Sequence, residues 1–166
     1  MKKLILGLFL FGLTTQVNSQ TIELPETVIS VNYKYFNAID SENAPKSVKK
    51  LEEEVLNYRN TELSMLYDDE YETYKVSFYV PEGKIVAAYD KSGKIIRTIE
   101  KYKNVRLPLV VMQAISKRFP NWGIVEDFYL INYHCDKDSL KQEYKIKIKN
   151  DDKTITVKTD EKGVFL

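Results

Sequence analysis

Apolar and polar residues alternate in two segments of the chain, "YKVSFYVPEGKIVAAYDKSGKII" (74–96) and "YKIKIKNDDKTITVKTDEKGVFL" (144–166). The segments align without a gap at an offset of 70, and their apolar matches fall on alternate positions. Strict alternation is typical of strands with one buried face. Each segment therefore predicts two antiparallel strands, followed by an Asp-x-x-Gly corner at Asp90–Gly93 or Asp160–Gly163 in which Asp caps a turn and Gly takes positive φ.

Two upstream segments have the spacing of amphipathic helices, "NAPKSVKKLEEEVLNYR" (43–59) and "VRLPLVVMQAISKRFP" (105–120). We predict that Asn43 caps the first helix, that Pro45 and Pro108 stand in the first turns, and that Pro120 ends the second helix. The segments align at an offset of 63. Their apolar stripes are Val48, Leu51, Val55 and Leu56 in the first, and Val111, Ala114, Ile115 and Phe119 in the second.

Three further segments are interpreted as strands: "TVISVNYKYF" (27–36), "KIIRTIEKY" (94–102) and "WGIVEDFYLINYHC" (122–135). The predicted fold class is α+β, with two tandem repeats that each pack a helix on an antiparallel β-meander. Residues 20–103 form the first repeat, with an N-terminal strand, and residues 104–166 form the second.

The N-terminus has the layout of a secretory signal peptide over residues 1–19, with two lysines, an apolar run from Leu4 to Leu13 and small residues before a cut after Ser19. The run is too short to cross a bilayer core, which needs about 20 residues; a retained anchor is the alternative. We expect a protein that does not span a membrane and is periplasmic or secreted. Removing Lys2 and Lys3 changes the net charge from +1 to −1, and this near-neutral balance predicts no nucleic-acid partner.

Catalytic chemistry has little support in the sequence. His134 and Cys135 are the single His and the single Cys, and neighbouring strand residues point to opposite faces, so Cys135 is interpreted as a buried small hydrophobe. The acidic segment "YDDEYE" (67–72) lacks the spaced ligands of a calcium loop, and a solvated loop is the preferred interpretation. We predict no enzyme activity, no catalytic residues, no metal site and no cofactor.

Four features of the second half of the chain resemble those of a known family. They are Leu107-Pro108 at the start of a helix, Phe119-Pro120 at its end, the strand that follows, and the closing Asp160-x-x-Gly163 turn. In these features the chain resembles the PepSY-like, beta-lactamase-inhibitor-like proteins exported by Bacteroidetes, most clearly over residues 105–166. The resemblance implies a tandem α+β fold with a sheet surface able to bind a protein.

The two alternating segments differ at positions expected to face away from the helices. If Val76, Phe78, Ile85 and Ala87 face inward, the outward residues are Ser77, Tyr79, Val86 and Ala88. The outward residues at the matching positions of the second segment are Lys147, Lys149, Thr156 and Lys158. A partly apolar outer surface marks an interaction site or is covered within the chain, by the N-terminal segment or by the other repeat.

The candidate partner-binding face is therefore Tyr79, Val86 and Ala88. The functional prediction is a non-enzymatic binding module for an unknown protein or peptide, such as a modulator of a periplasmic or surface enzyme. The alternative is a carrier of a small ligand or peptide in a cavity between helix and sheet.

Overall fold

The computed structural model describes residues 26–39, 44–58 and 72–166. In these residues the fold is α+β, with three helices and one six-stranded antiparallel sheet whose strands follow their order in the chain. The predicted signal peptide, Asn43 and residues 67–71 of the acidic segment lie outside them. The elements are α1 (Glu26–Ile39), α2 (Lys46–Asn57), β1 (Thr73–Val80), β2 (Gly83–Asp90), β3 (Ile95–Lys103), α3 (Leu109–Arg118), β4 (Gly123–His134), β5 (Ser139–Asn150) and β6 (Lys153–Thr159).

The β1–β2 and β5–β6 hairpins have the same register at the offset of 70. Tyr74 lies opposite Tyr89 as Tyr144 lies opposite Thr159, and the agreement continues to the turn. The corners that follow also agree: Asp90 Oδ1 accepts hydrogen bonds from the backbone N–H groups two and four residues later, and so does Asp160 Oδ1. Gly93 and Gly163 have φ of +80° and +79°, which favours glycine. The predicted hairpins and turns are confirmed, whereas their origin in a tandem repeat stays a prediction.

The helices α2 and α3 start in the same way. Pro45 and Pro108 occupy the N-cap positions with extended backbone, so the predicted cap at Asn43 and the predicted first-turn positions of the prolines are wrong. The carbonyl oxygens of the two prolines accept the first helical hydrogen bonds. The fixed φ of proline and its missing N–H suit a helix start. The predicted stripe of α2 is buried throughout, and Val111 and Ile115 are buried on α3. The C-cap residue Phe119 packs edge-on against Trp122 and Phe165.

The strand predicted at residues 27–36 is wrong, because these residues lie in α1. The alternation of Val31, Tyr33 and Tyr35 suggested a strand. However, the residues that contact the core have helical spacing: Asn32 and Tyr35 are buried, and Phe36 and Ile39 are partly buried. The helix has a kink at Asn32, whose side chain accepts a hydrogen bond from the Ile95 N–H at 2.7 Å and so ties α1 to β3.

Strands β3 and β4 join two three-stranded meanders into one sheet, with Arg97 opposite His134 and Lys103 opposite Phe128. α1 contacts α2, and α2 packs on β1 and β2. The helices thus share the sheet face that carries the buried core, and the opposite face is called the outer face below. None of the helices in the described residues is long and apolar enough to cross a membrane.

Candidate functional sites on the sheet

The predicted residues Tyr79, Val86 and Ala88 lie on the outer face of the first meander. Tyr79 is 66% exposed, and Val86 and Ala88 are partly exposed. Val86 lies directly opposite Ile99 of β3, which is 45% exposed. We use the term apolar patch for these four residues, Tyr79, Val86, Ala88 and Ile99. Ile99 was not among the predicted residues, although its outward position follows from the alternation of β3.

No described helix packs on the apolar patch. The second meander extends the same sheet sideways through β4, so the other half of the molecule does not cover the patch. α1 lies on the helical side, where the hydroxyl group of Tyr35 donates a hydrogen bond to buried Glu100. Within the described residues, the patch therefore has no intramolecular cover.

The matching outward positions of the second meander carry the expected polar residues. Lys147, Lys149, Thr156 and Lys158 are all exposed, so the predicted difference holds at the matched positions. The outer face of the first meander is not neutral, however, because it also carries exposed Lys84, Arg97 and Lys101. The net charge of the whole chain is near neutral, but the outer face has a local excess of positive charge. The absence of a nucleic-acid partner stays a prediction. The near-neutral net charge no longer supports it, because the positive charges are clustered on one face.

A cleft of about 710 Å³ opens on the helical side of the sheet. Its walls are the N-terminal ends of α2 and α3, with Pro45 and Pro108 facing across it, and its floor includes Tyr129, Gln142 and Tyr144. Arg106 and Glu161 stand at its exposed rim. A volume of several hundred Å³ with mixed apolar and polar lining suits a small ligand or a short peptide segment.

A row of tyrosines crosses the sheet beneath the cleft. Tyr102, Tyr129 and Tyr144 are direct neighbours on β3, β4 and β5, and the rings of Tyr129 and Tyr144 stack with centroids 4.6 Å apart. Gln142 donates a hydrogen bond of 2.8 Å to the Tyr129 hydroxyl. Burial raises the pKa of Tyr144 to about 12, so this hydroxyl stays protonated at neutral pH. Gly83 lies beside Tyr102, the tyrosine of the row on β3. Glycine leaves room for the Tyr102 ring here, because a Cβ added at Gly83 would overlap with that ring.

Two glutamates are buried between α2 and the sheet, which the sequence analysis did not predict. Glu100 of β3 accepts hydrogen bonds from the hydroxyl groups of Thr98, Tyr35 and Tyr102 at 2.7, 3.0 and 3.0 Å. Burial raises its pKa, and these hydrogen bonds oppose the rise. Glu52 lies on the buried stripe of α2. Burial and then the charge of Glu100 raise the pKa of Glu52 to about 9, so Glu52 is neutral at pH 7.

A signal for both glutamates was present in the sequence. Glu52 has helical spacing to Val48 and Val55, and Glu100 alternates with Thr98 and Tyr102 in β3. A charged residue at a core position of the pattern is the informative observation. At pH 7 the buried carboxyl group of Glu52 keeps its proton, so the stability of the fold depends on pH.

Cys135 is buried, which confirms its interpretation as a core residue. Its N–H donates a hydrogen bond of 2.8 Å to the Ile96 carbonyl, while His134 is partly exposed on the outer face. The described residues contain no group of three or more His, Cys, Asp or Glu side chains placed to hold a metal ion. The absence of enzyme activity stays a prediction.

Comparison with known proteins gives two structural neighbours. A BLIP-like protein from Bacteroides fragilis NCTC 9343 is similar over 63% of this chain and 77% of its own, with 17% identity and a TM-score of 0.34. A DUF2874 family protein from Bacteroides ovatus ATCC 8483 is similar over 87% of this chain and 85% of its own, with 15% identity and a TM-score of 0.35. No family model and no curated protein matches the sequence. At these scores, the likeness assigns neither a family nor a function.

Proposed function

We propose that the chain is an exported, non-enzymatic protein of the PepSY-like, beta-lactamase-inhibitor-like kind, built from two repeats, that binds a protein or peptide through its apolar patch. The observation that carries this proposal is the exposure of Tyr79 and Ile99 on a sheet face that no described helix covers. Uncovered apolar side chains that lie together mark interaction surfaces more often than scattered ones do. The predicted signal peptide supports a periplasmic or secreted site of action.

The direct test is partner capture by the protein recovered from the periplasm and the medium, compared with Tyr79→Lys and Leu109→Lys. Tyr79 and Leu109 are 66% and 65% exposed, so the two changes are matched in exposure and added charge. Tyr79 lies on the patch and Leu109 lines the cleft. We expect Tyr79→Lys to fold and lose the partner, while Leu109→Lys keeps it. Unfolding of Tyr79→Lys would show instead that this side chain packs within the molecule.

Export has its own test, which is N-terminal sequencing of the recovered protein. We expect a mature chain that begins at Gln20, after the predicted cut. A chain that keeps Met1 and sediments with membranes would contradict the proposal and support a retained anchor.

The cleft favours a second candidate function, the transport of a small ligand or peptide. Its volume and its mixture of proline, aromatic and amide groups support this candidate. The test is native mass spectrometry of the exported protein, compared with Met112→Trp, which places a bulky ring in the cleft wall. A co-eluting mass that Met112→Trp lacks would favour the carrier, and identical spectra without added mass would remove it.

A further inference from the structure

The outer face of the second meander carries a row of lysines on one strand. On β5, Lys145, Lys147 and Lys149 alternate with the buried residues Tyr144, Ile146 and Ile148. Successive side chains of a strand point to opposite faces, so all three lysines project from the outer face, and all three are exposed.

Like charges lie directly opposite each other at two places on this face. Lys84 of β2 is the cross-strand neighbour of Lys101, and Lys145 is the neighbour of Lys158. Directly opposed like charges destabilise a sheet. Glu143 offsets part of the repulsion in the second meander by binding Lys158, and the two opposed pairs concentrate positive charge on the outer face.

The acidic groups of the face are already paired. Glu126 binds Lys103 at 2.9 Å, and Glu143 binds Lys141 and Lys158 at 3.1 and 3.3 Å. These lysines lower the pKa of both carboxyl groups. Glu126 also lies opposite Lys147, whose charge helps to lower the pKa of Glu126. Among the described carboxylates, however, none lies within salt-bridge distance of Lys145, Lys147 or Lys149. The face is therefore strongly cationic although the whole chain has a net charge of only +1.

We propose that the outer face binds an acidic polypeptide surface, with the lysines of β5 engaging Asp and Glu side chains while the patch on β1, β2 and β3 makes the apolar contact. This inference rests on the proposed function and gives the chemistry of its partner. Complementary charge raises association rates and excludes wrong partners. Six strands about 4.8 Å apart and about eight residues long give a face of roughly 600 Å², close to the ~800 Å² that each partner contributes to a standard interface.

The side chains of the face favour a polypeptide over nucleic acid or lipid. Single-stranded nucleic acid binds to exposed aromatic rings, but the ring of Phe128 is covered by the Lys101 ammonium group at 4.3 Å. Among the described residues, Tyr79 has the well-exposed ring on this face, and the Lys84 ammonium group lies over it at 5.8 Å. Val86, Ala88 and Ile99 are shorter than the lysines around them, so they cannot reach past the charges into a bilayer. A folded surface with a protruding side chain can reach them.

The test measures binding of fluorescent poly-L-glutamate by anisotropy, at salt concentrations from about 20 to about 200 mM. We expect saturable binding by the wild type, with a Kd that rises about tenfold or more over this range because salt screens exposed charges. The triple change Lys145→Glu, Lys147→Glu and Lys149→Glu removes this binding. The control is Lys46→Glu, Lys50→Glu and Lys117→Glu, which makes the same change in net charge at exposed helix positions. The control keeps binding within about threefold of the wild type.

Several results would overturn the inference. These are no binding of poly-L-glutamate, an equal loss in the two triple variants, or tighter binding of oligothymidylate or of phosphatidylcholine vesicles with about a quarter phosphatidylglycerol. If the Lys→Glu triple variant misfolds by circular dichroism, Lys→Gln changes at the same positions test the same loss. Tyr79→Lys separates the two proposals: it adds a cation and so keeps poly-L-glutamate binding. If it also keeps partner capture, the proposed function fails while the charge inference stands.

Discussion

The β1–β2 and β5–β6 hairpins share a register and a closing turn, yet they present different surfaces. Their inward residues alternate in the same way, and Asp90 and Asp160 accept the same backbone hydrogen bonds. Outward, Tyr79 and Val86 stand where the second hairpin has Lys149 and Thr156. The comparison teaches that the buried side and the turn set the backbone geometry, so the outer side is free to specialise.

The largest expected effect tests whether matching inward residues of the two hairpins contribute equally to the free energy of unfolding. Ile85 is fully buried, whereas its counterpart Ile155 on the edge strand is 38% exposed. We expect Ile85→Ala to lower the free energy of unfolding by about 2–5 kcal/mol, and Ile155→Ala by less than about 1 kcal/mol. Urea denaturation of both variants measures the difference. Equal losses would mean that the two hairpins are packed alike.

The helices differ at one buried position, since Glu52 of α2 aligns with Ile115 of α3. The pKa of Glu52 is raised from 4.5 to about 9, so the folded state binds more protons than the unfolded state between these values. The contribution of Glu52 to stability is therefore greatest at low pH and falls as pH rises towards 9, by up to about 1.4 kcal/mol per pH unit. The lowered pKa values of Glu126 and Glu143 act in the opposite direction, but only at acidic pH. We expect Glu52→Gln to flatten most of this slope in denaturation curves between about pH 6 and pH 8.

The control for this pH dependence is Glu54→Gln, at an exposed position of the same helix whose charge does not contribute to the shift of Glu52. It should leave the slope unchanged. A Glu52→Gln variant with the wild-type slope would assign the pH dependence to Glu100 or to another group.

The two corner glycines share a φ near +80° but not their surroundings. An added Cβ at Gly93 meets nothing within 4 Å, whereas at Gly163 it would lie 2.9 Å from the Val110 carbonyl oxygen. Gly93→Ala should cost about 1 kcal/mol from backbone strain, and Gly163→Ala about 1–3 kcal/mol more from overpacking. Thermal denaturation ranks the pair. A smaller loss for Gly163→Ala would show that α3 moves aside readily.

The smallest expected effect is on stability when the outer faces are exchanged. Tyr79→Lys combined with Lys149→Tyr transfers the aromatic side chain from one hairpin to the matching exposed position of the other. Both sites are exposed, but the new lysine lies directly opposite Lys84, so we expect the free energy of unfolding to fall by less than about 1 kcal/mol. Denaturation curves measure the change. A larger loss would show that the outer residues support the fold.

Much of the fold could be predicted from the sequence, because buried alternation and turn chemistry are local signals. The pattern predicted the hairpins, the strands at 94–102 and 122–135, and helices within 43–59 and 105–120, all of which the structure contains. The strand at 27–36 was wrong because alternating Val31, Tyr33 and Tyr35 resemble a strand until the burial of Asn32 shows the helical face.

The candidate sites were less predictable, since each depends on residues that meet only in the folded chain. Tyr79 and Val86 were found from alternation, but their neighbour Ile99 and the opposed Lys84–Lys101 pair required the register of β2 and β3. The cleft joins residues of β4 and β5 with residues from two helix starts. The pairing of Glu52 with Glu100 likewise depends on how α2 packs, which no local pattern contains.

The sequential order of the strands has a consequence for how the molecule assembles. Four of the five strand pairings close over short turns, whereas β3–β4 must close over the segment that contains α3. Local pairings have a small loop-closure cost and form quickly, while longer loops delay a contact. Each meander can therefore form early by itself, and the docking of β3 on β4 becomes the slow step that commits the chain to one sheet.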